Sequence, residues 1–197
     1  MTQHREPFVF TAQLKKLRPT QFSVGYAEVE EKRQDWKNLN KKDRERSYTQ
    51  IVIPVVIGPD DQLYPVDHHH EGRALLLDGE KKVLAHAFAD FSRSKLSKDE
   101  FWAEMVMFGW CHLFDETGKL QSWKDLPKGL LDLKDDPYRS LAGFLRKKGG
   151  YAKSEVPFAE FHWANYLRHR VKDPTDLKSA LKIAKQKEAN FLPGWVP

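Results

Sequence analysis

The stretch PVVIGPDDQLYPVDHHHEGRALL (residues 54–76) decides the fold. It begins inside a β-branched run, IVIPVVIG (51–58), of the kind that forms strands buried on both faces. Pro54 cannot donate to a ladder, which predicts that the N-terminal part of this strand is an edge or a lead-in. Gly58-Pro59 punctuates a turn, and Leu63 to Val66 reads as a second short strand, so the two runs predict a hairpin. Beyond it, Ala74, Leu75 and Leu77 supply apolar surface before Asp78-Gly79. The spacing predicts a helix over 69–77 with Asp67 near its N-cap.

Working outward, Phe8 to Leu14 reads as a strand, broken by LRPTQ, where Pro19 keeps Arg18 out of the α region. Val24 to Trp36 has a helical pattern, with Val29 and Trp36 sharing a face with Tyr26 and Arg33. The connector KNLNKKDRERS (37–47) lacks apolar periodicity and reads as a mobile loop or frayed helix end. KKVLAHAFADF (81–91) alternates and predicts a third strand. Ser97 and Glu100 form a capping box that opens a helix through about Gly109, with Phe101, Met105 and Phe108 as a core-facing stripe.

Three further helices are expected in the last third. One starts at Asp136-Pro137 and runs to Lys148, with Gly149-Gly150 as its stop. Another runs from Pro157 to about His169, and a last one from Asp173-Pro174 to about Ala189. The sequence thus predicts an α+β chain: an α/β part to about residue 95 and a packed helical annex. The expected domain covers 1–170, with a C-terminal helix and tail over 171–197.

Composition limits the function classes. The chain has 197 residues, a net charge of +5 and 12% aromatic residues, enough to bury a core without disulfides or a metal. No stretch approaches the roughly 18–20 apolar residues of a membrane span, and the N-terminus carries no secretory signal pattern. Cys111, in FGWCHLF (108–114), is the single cysteine. It excludes an internal disulfide, reads as a buried inert thiol and points to a reducing cytoplasm. The charge is uneven: residues 1–50 carry +4, residues 51–140 carry −5 and residues 141–197 carry +6. Basic ends suit a nucleotide or nucleic acid, or are ordinary solvated helix faces.

Asp67-His68-His69-His70 is the outstanding chemical feature, because it lies between a strand end and a helix start. A helix N-terminus has free N–H groups and a positive dipole end, which makes it an anion site. Imidazoles there can donate to phosphate oxygens or transfer protons, with Asp67 orienting one of them. Alternatively one histidine is buried and hydrogen-bonded while the others are exposed. Three consecutive histidines cannot easily bind one ion facially, and no H-E-x-x-H or C-x-x-C occurs, so no metal site is assigned. The lone histidines His4, His86, His112, His162 and His169 read as structural or surface residues. The sequence has neither a P-loop nor a G-x-G-x-x-G motif.

LRPTQFSVGYAEVEEK (17–32), the 54–76 stretch, DDPYRSLAGFLRKKGGY (135–151) and PFAEFHWANYLR (157–168) together resemble the ParB-like nuclease family, over roughly residues 8–170. That family is related to the ParB N-terminal domain and sulfiredoxin. The resemblance implies a ParB/sulfiredoxin-like small mixed sheet with helices, and a strand–D-G-H-H-R–helix element that holds nucleotide phosphates. Superfamily members include a CTP hydrolase, an ATP-dependent sulfinic acid reductase and a free-serine kinase. Asp67, His69 and His70 match D-G-H-H-R, while His68 replaces the glycine and Glu71 the arginine, with Arg73 as a substitute two residues on. The acidic residue of kinase-like members corresponds to Gln21, which cannot be a general base, and Glu28 is the nearest acidic candidate. Cys111 lies far from this element, which excludes sulfinic acid reduction, and the arginines of the ParB CTP motif are absent.

Two main functions follow. In the first, a nucleotide or nucleic-acid phosphate sits at the N-terminus of helix 69–77 and undergoes hydrolysis or transfer. Asp67, His69, His70 and Glu28 are then the catalytic candidates, and Ser23, Lys32, His68, Arg73 and Arg139 bind the anion. Lys41, Lys42, Arg44 and Arg46 would form a basic lid or nucleic-acid edge. Magnesium is implied if the substrate is a nucleoside triphosphate, although no carboxylate cluster identifies its site. In the second, the chain is a non-catalytic nucleic-acid-binding module related to chromosome partitioning proteins. A third reading has the aromatic segment FAEFHWANYL (158–167) burying a protein partner. No membrane partner is expected, and the sequence assigns no oligomeric state.

Overall fold

The computed structural model describes residues 8–197. Its main sheet has four strands: β1 (Phe8–Gln13), β3 (Val52–Ile57), β4 (Leu63–Pro65) and β5 (Lys82–Asp90). Their order is β1-β5-β3-β4, with β5 antiparallel to β1 and parallel to β3, and β3 antiparallel to β4. The sheet is therefore small and mixed, as the resemblance implies. Five α-helices precede or flank its second half and the annex: α1 (Tyr26–Asn38), α2 (Lys41–Gln50), α3 (His69–Leu77), α4 (Lys98–Met107) and α5 (Pro137–Lys147). α6 (Ala159–Arg168) and α7 (Leu177–Ala184) complete the annex. A parallel two-residue pair, β2 (Ser23–Val24) and β6 (Lys134–Asp135), brings the chain before α1 beside the chain before α5.

Buried apolar residues gather in three clusters. Leu14, Leu17, Val29, Ile53, Val55, Leu75, Val83 and Leu130 join β1, β3 and β5 to α1 and α3. Val56, Tyr64, Phe101, Trp102, Met105 and Cys111 form the second cluster around α4. Val55 and Val56 belong to different clusters because successive strand residues face opposite ways. The third cluster packs α5, α6 and α7 through Leu141, Leu145, Trp163, Leu167, Ala180 and Ala184. Cys111 is buried, and burial pushes its thiol up to about 12, so the inert reading stands.

Several local expectations are corrected. Pro54 is not among them: as it predicts, the N-terminal half of β3 is an edge, because Val52 to Pro54 pair with β5 alone and the ladder to β4 spans only Val55 to Ile57. The Pro54 carbonyl accepts the Val66 N–H at 3.0 Å, and a proline has no N–H to return. The basic connector is ordered as α2, opened by Asn40, whose side chain accepts the Asp43 N–H at 2.9 Å. Phe108 leaves the α4 stripe and stacks on Trp110, half exposed, while Trp102 takes the core position. Asp176, not Asp173, caps the final helix, by accepting the Ser179 N–H. His4 lies outside the described residues.

Candidate functional site at the start of α3

The chain enters α3 through its N-cap residue His68, whose φ of +63° is left-handed, with Asp67 immediately before it. Asp67 stands just outside, largely exposed, and its carboxylate accepts the His68 N–H at 2.6 Å. His69 and His70 turn inward and are buried. His69 Nε2 accepts the backbone N–H of Thr20 at 3.2 Å, while the Thr20 hydroxyl is spent on the Pro65 carbonyl at 2.7 Å. His70 Nε2 accepts the backbone N–H of Gly25 at 3.0 Å. With each Nε2 accepting, the hydrogen-bond pattern assigns the ring proton to Nδ1 in a neutral imidazole. Burial lowers the pKa of His69 to about 4 and holds His70 well below the usual range, with Arg139 pushing His70 the same way.

These two bonds fasten residues 20–25 to α3 and thereby set the start of α1, where Glu28 is buried. Glu28 Oε2 accepts from Arg139 Nη1 at 2.6 Å and lies 3.5 Å from His70 Nε2. Burial raises the Glu28 carboxyl above its ordinary value, against the pull of Arg139 and Lys147. Arg139 sits in the first turn of α5, which Asp136 caps by accepting the N–H groups of Tyr138 and Arg139 at 3.0 and 3.2 Å. Two glycines permit the close approach. A Cβ at Gly25 would fall 2.7 Å from the Ser140 nitrogen, and one at Gly143 would collide with the Glu28 carboxylate.

A cleft of about 340 Å³ opens between this start of α3 and the chain that leads into α6. Asp67, His69, His70 and Gln21 line one side, and Arg139, Arg146 and Lys153 bring three cations to the other. Glu155 and Glu160 also line it, and Glu160 is engaged by Arg146. The formal charges of the lining cancel, so any preference for an anion arises from position: guanidinium groups share one cleft with a helix N-terminus.

Of the residues picked out in the sequence, Asp67, His69, His70 and Arg139 meet at this cleft, with Glu28 behind Arg139. The others are not among its lining. Ser23 is fully buried in β2. Lys32 pairs with Glu71 at 2.7 Å, away from the cleft. Arg73, three residues after His70, is carried onto the inner side of α3, where Nη1 donates to the Leu130 carbonyl at 2.9 Å and the guanidinium covers the Tyr26 ring. The His68 ring lies beside Asp67, 4.0 Å from its carboxylate. None of Lys41, Lys42, Arg44 or Arg46 borders the cleft. Arg146 and Lys153 were not anticipated. Arg146 is seven residues from Arg139, two helical turns along one face, a legible signal. Lys153 follows the Gly149-Gly150 stop and carries none. Among the described residues, no group of three or more His, Cys, Asp or Glu side chains is arranged to hold a metal ion, and no helix is long and apolar enough to cross a membrane.

Residues 10–169 match the family described as "Putative ParB-like nuclease", and the chain belongs to that family. Membership associates it with nucleic-acid-related proteins. Among solved structures, it is similar to the crystal structure of protein Atu1540 from Agrobacterium tumefaciens. The two share 43% sequence identity and a TM-score of 0.88, over 97% of this chain and 98% of that one. No curated protein matches the chain.

Proposed function

We propose that the protein binds a nucleotide or nucleic-acid phosphate in the cleft at the start of α3 and hydrolyses or transfers a phosphate ester there. The observation that carries this reading is the convergence of Arg139, Arg146 and Lys153 on the first turn of α3. First-turn N–H groups have no partner within their own helix, and guanidinium forks match phosphate oxygens. Asp67 is an accessible carboxylate of this cleft that adjoins the start of α3, and is the candidate to accept a proton from an attacking water or hydroxyl. His69 and His70 act here as neutral anchors, because their Nε2 lone pairs are already engaged and burial disfavours their protonated forms. Glu28 acts through Arg139, which it orients. Magnesium would be needed for a triphosphate substrate, with Asp67 and Glu155 as the exposed carboxylates of the cleft. The non-catalytic reading keeps the same anion site and drops only the role of Asp67.

A thermal-shift series with inorganic phosphate, nucleoside triphosphates and short DNA tests this, since a ligand of the native state raises Tm by mass action. Lys153 is exposed, so Lys153→Gln should lower that stabilisation without unfolding the protein. Asp67→Asn keeps an oxygen for the His68 N–H and should lose phosphate-ester turnover while retaining binding. Unaltered turnover in Asp67→Asn sinks the catalytic assignment, and absence of any stabilisation by these ligands sinks the anion site.

A further inference from the structure

A second cavity, of about 360 Å³, lies on the other side of Phe161 from this cleft. Phe161 lines both. One contact of its ring is with the Arg139 guanidinium, 5.2 Å from the ring centroid, and another is with the imidazole of His112, stacked at 4.1 Å. The second cavity is therefore one aromatic side chain away from the proposed phosphate position.

Its lining has three properties that none of the structural roles above accounts for. First, it presents flat rings to solvent: Phe114 is 44% and Phe191 72% exposed, and His162 and His169 are exposed on the same side of α6. Residues 162, 165 and 169 recur at helical spacing, so His162, Asn165 and His169 form one polar stripe along the cavity wall. Second, its carboxylates are spent internally, Asp136 on Arg168, which leaves Arg170 as the arginine at its exposed rim. Asp115 accepts from the N–H groups of Thr117 and Lys119, from the Thr117 hydroxyl and from Gln121, and Asp136 accepts from Arg168. Arg170 is exposed, stacked 3.7 Å over the Tyr166 ring. Third, Tyr166 is 6% exposed and lines the cavity, yet its hydroxyl is buried without a hydrogen-bond partner, as is Nε of Arg168. Buried donors without partners are rare and call for an explanation.

We infer that this cavity receives an unstacked base of a single-stranded nucleic acid, whose phosphate occupies the cleft at α3. The inference rests on the phosphate reading above and deepens it: the ligand is a polynucleotide single strand, not a free nucleotide. Exposed rings take any base by stacking, and arginine adds attraction to both base and backbone. A concave space of this size admits one base but not the edge of a stacked duplex. The exposed Asn165 amide provides hydrogen-bonding groups for the base.

The test uses the full chain and a fluorescein-labelled thymidylate octamer, with fluorescence anisotropy as readout, alongside a duplex of the same length and thermal stabilisation by inorganic phosphate. The octamer should bind more tightly than the duplex. Phe191→Ala and Arg170→Gln, both at exposed positions, should each weaken octamer binding, Phe191→Ala by about tenfold, and leave Tm and the phosphate effect unchanged. Equal octamer affinity in both variants, or a duplex bound as well as the single strand, overturns the inference. Stabilisation by phosphate without octamer binding overturns it while the phosphate site survives. Failure of both ligands removes the phosphate site and this inference together.

Discussion

Gly143 of α5 lies directly against the carboxylate of Glu28 on α1, so close that a Cβ there would fall 2.7 Å from Oε2 and nearer still to Oε1. Inside a helix, alanine ordinarily improves on glycine by about 0.5–1 kcal/mol. Here the sign should reverse. Gly143→Ala must displace a buried carboxylate or part α1 from α5, and overpacking of that kind costs about 1–3 kcal/mol. Urea denaturation should give a net loss, and stabilisation by phosphate should fall as Arg139 loses its partner. A variant as stable as the parent would mean that the Glu28 carboxylate is not held where it lies.

The Glu28–Arg139 pair makes a second prediction. Both side chains are largely buried, at 9% and 12% exposure. Removing one partner from a buried pair costs about 3–5 kcal/mol, because the other charge is left uncompensated. Arg139→Gln should approach the lower end of that range, since the raised pKa of Glu28 lets it neutralise itself by taking up a proton. Glu28→Gln in the same chain should recover part of the loss. A double-mutant cycle measures the coupling, and strictly additive losses would show the pair to be unimportant.

Acid should destabilise the protein through its buried histidines. His69 has a pKa of about 4, His112 about 3, and His70 lies well below the ordinary 6.5. In each case the unfolded chain binds the proton first, so stability is fully present above pH 6.5 and falls as the pH drops toward the folded-state values. His69 alone spans 6.5 to about 4, on the order of 3 kcal/mol. Glu28 works in the opposite direction, because its raised pKa means that the folded state binds a proton more readily as the pH falls. Denaturation midpoints between pH 7 and 4 should therefore fall in the parent chain. His69→Gln should be less stable at pH 7, where the Thr20 tether is weakened, and show a shallower fall; an unchanged slope would mean that His69 is not the group titrating.

Much of the sheet and most helix limits were legible, because β-branched runs, alternation and capping residues act locally. Ser97 with Glu100, and Asp136 with Pro137, give their helices away within four residues. The connector at 37–47 was not legible, since a helix with little apolar surface leaves no periodic trace. At the site, the importance of Asp67 to His70 was legible, but not the direction of its side chains. The inward turn of His69 and His70 depends on Thr20 and Gly25, more than forty residues away, whose N–H groups have nowhere else to bond. Lys32, as a cation, and Arg73, as the substitute for the arginine of D-G-H-H-R, are expected in the anion pocket, whereas the structure turns them toward Glu71 and Leu130. Arg146 was the readable omission, seven residues from Arg139.

The left-handed backbone at His68 carries the last prediction. A φ of +63° costs a side-chain-bearing residue about 1–2 kcal/mol that glycine does not pay. Glycine is what the D-G-H-H-R pattern of the wider superfamily has at this position. The His68 ring gives little in return: it lies 4.0 Å from an exposed Asp67, and its Nδ1 is buried without a partner. His68→Gly should therefore stabilise the protein, by up to about 1 kcal/mol once the extra freedom of the unfolded glycine is counted. Phe158, at φ +58°, provides the contrast. Its ring packs against His112 and Phe161, so Phe158→Gly relieves the same strain but loses that packing, and should destabilise. Chemical denaturation of the two variants reads both signs, and a loss of stability in His68→Gly would show that the His68 side chain holds the entry to α3.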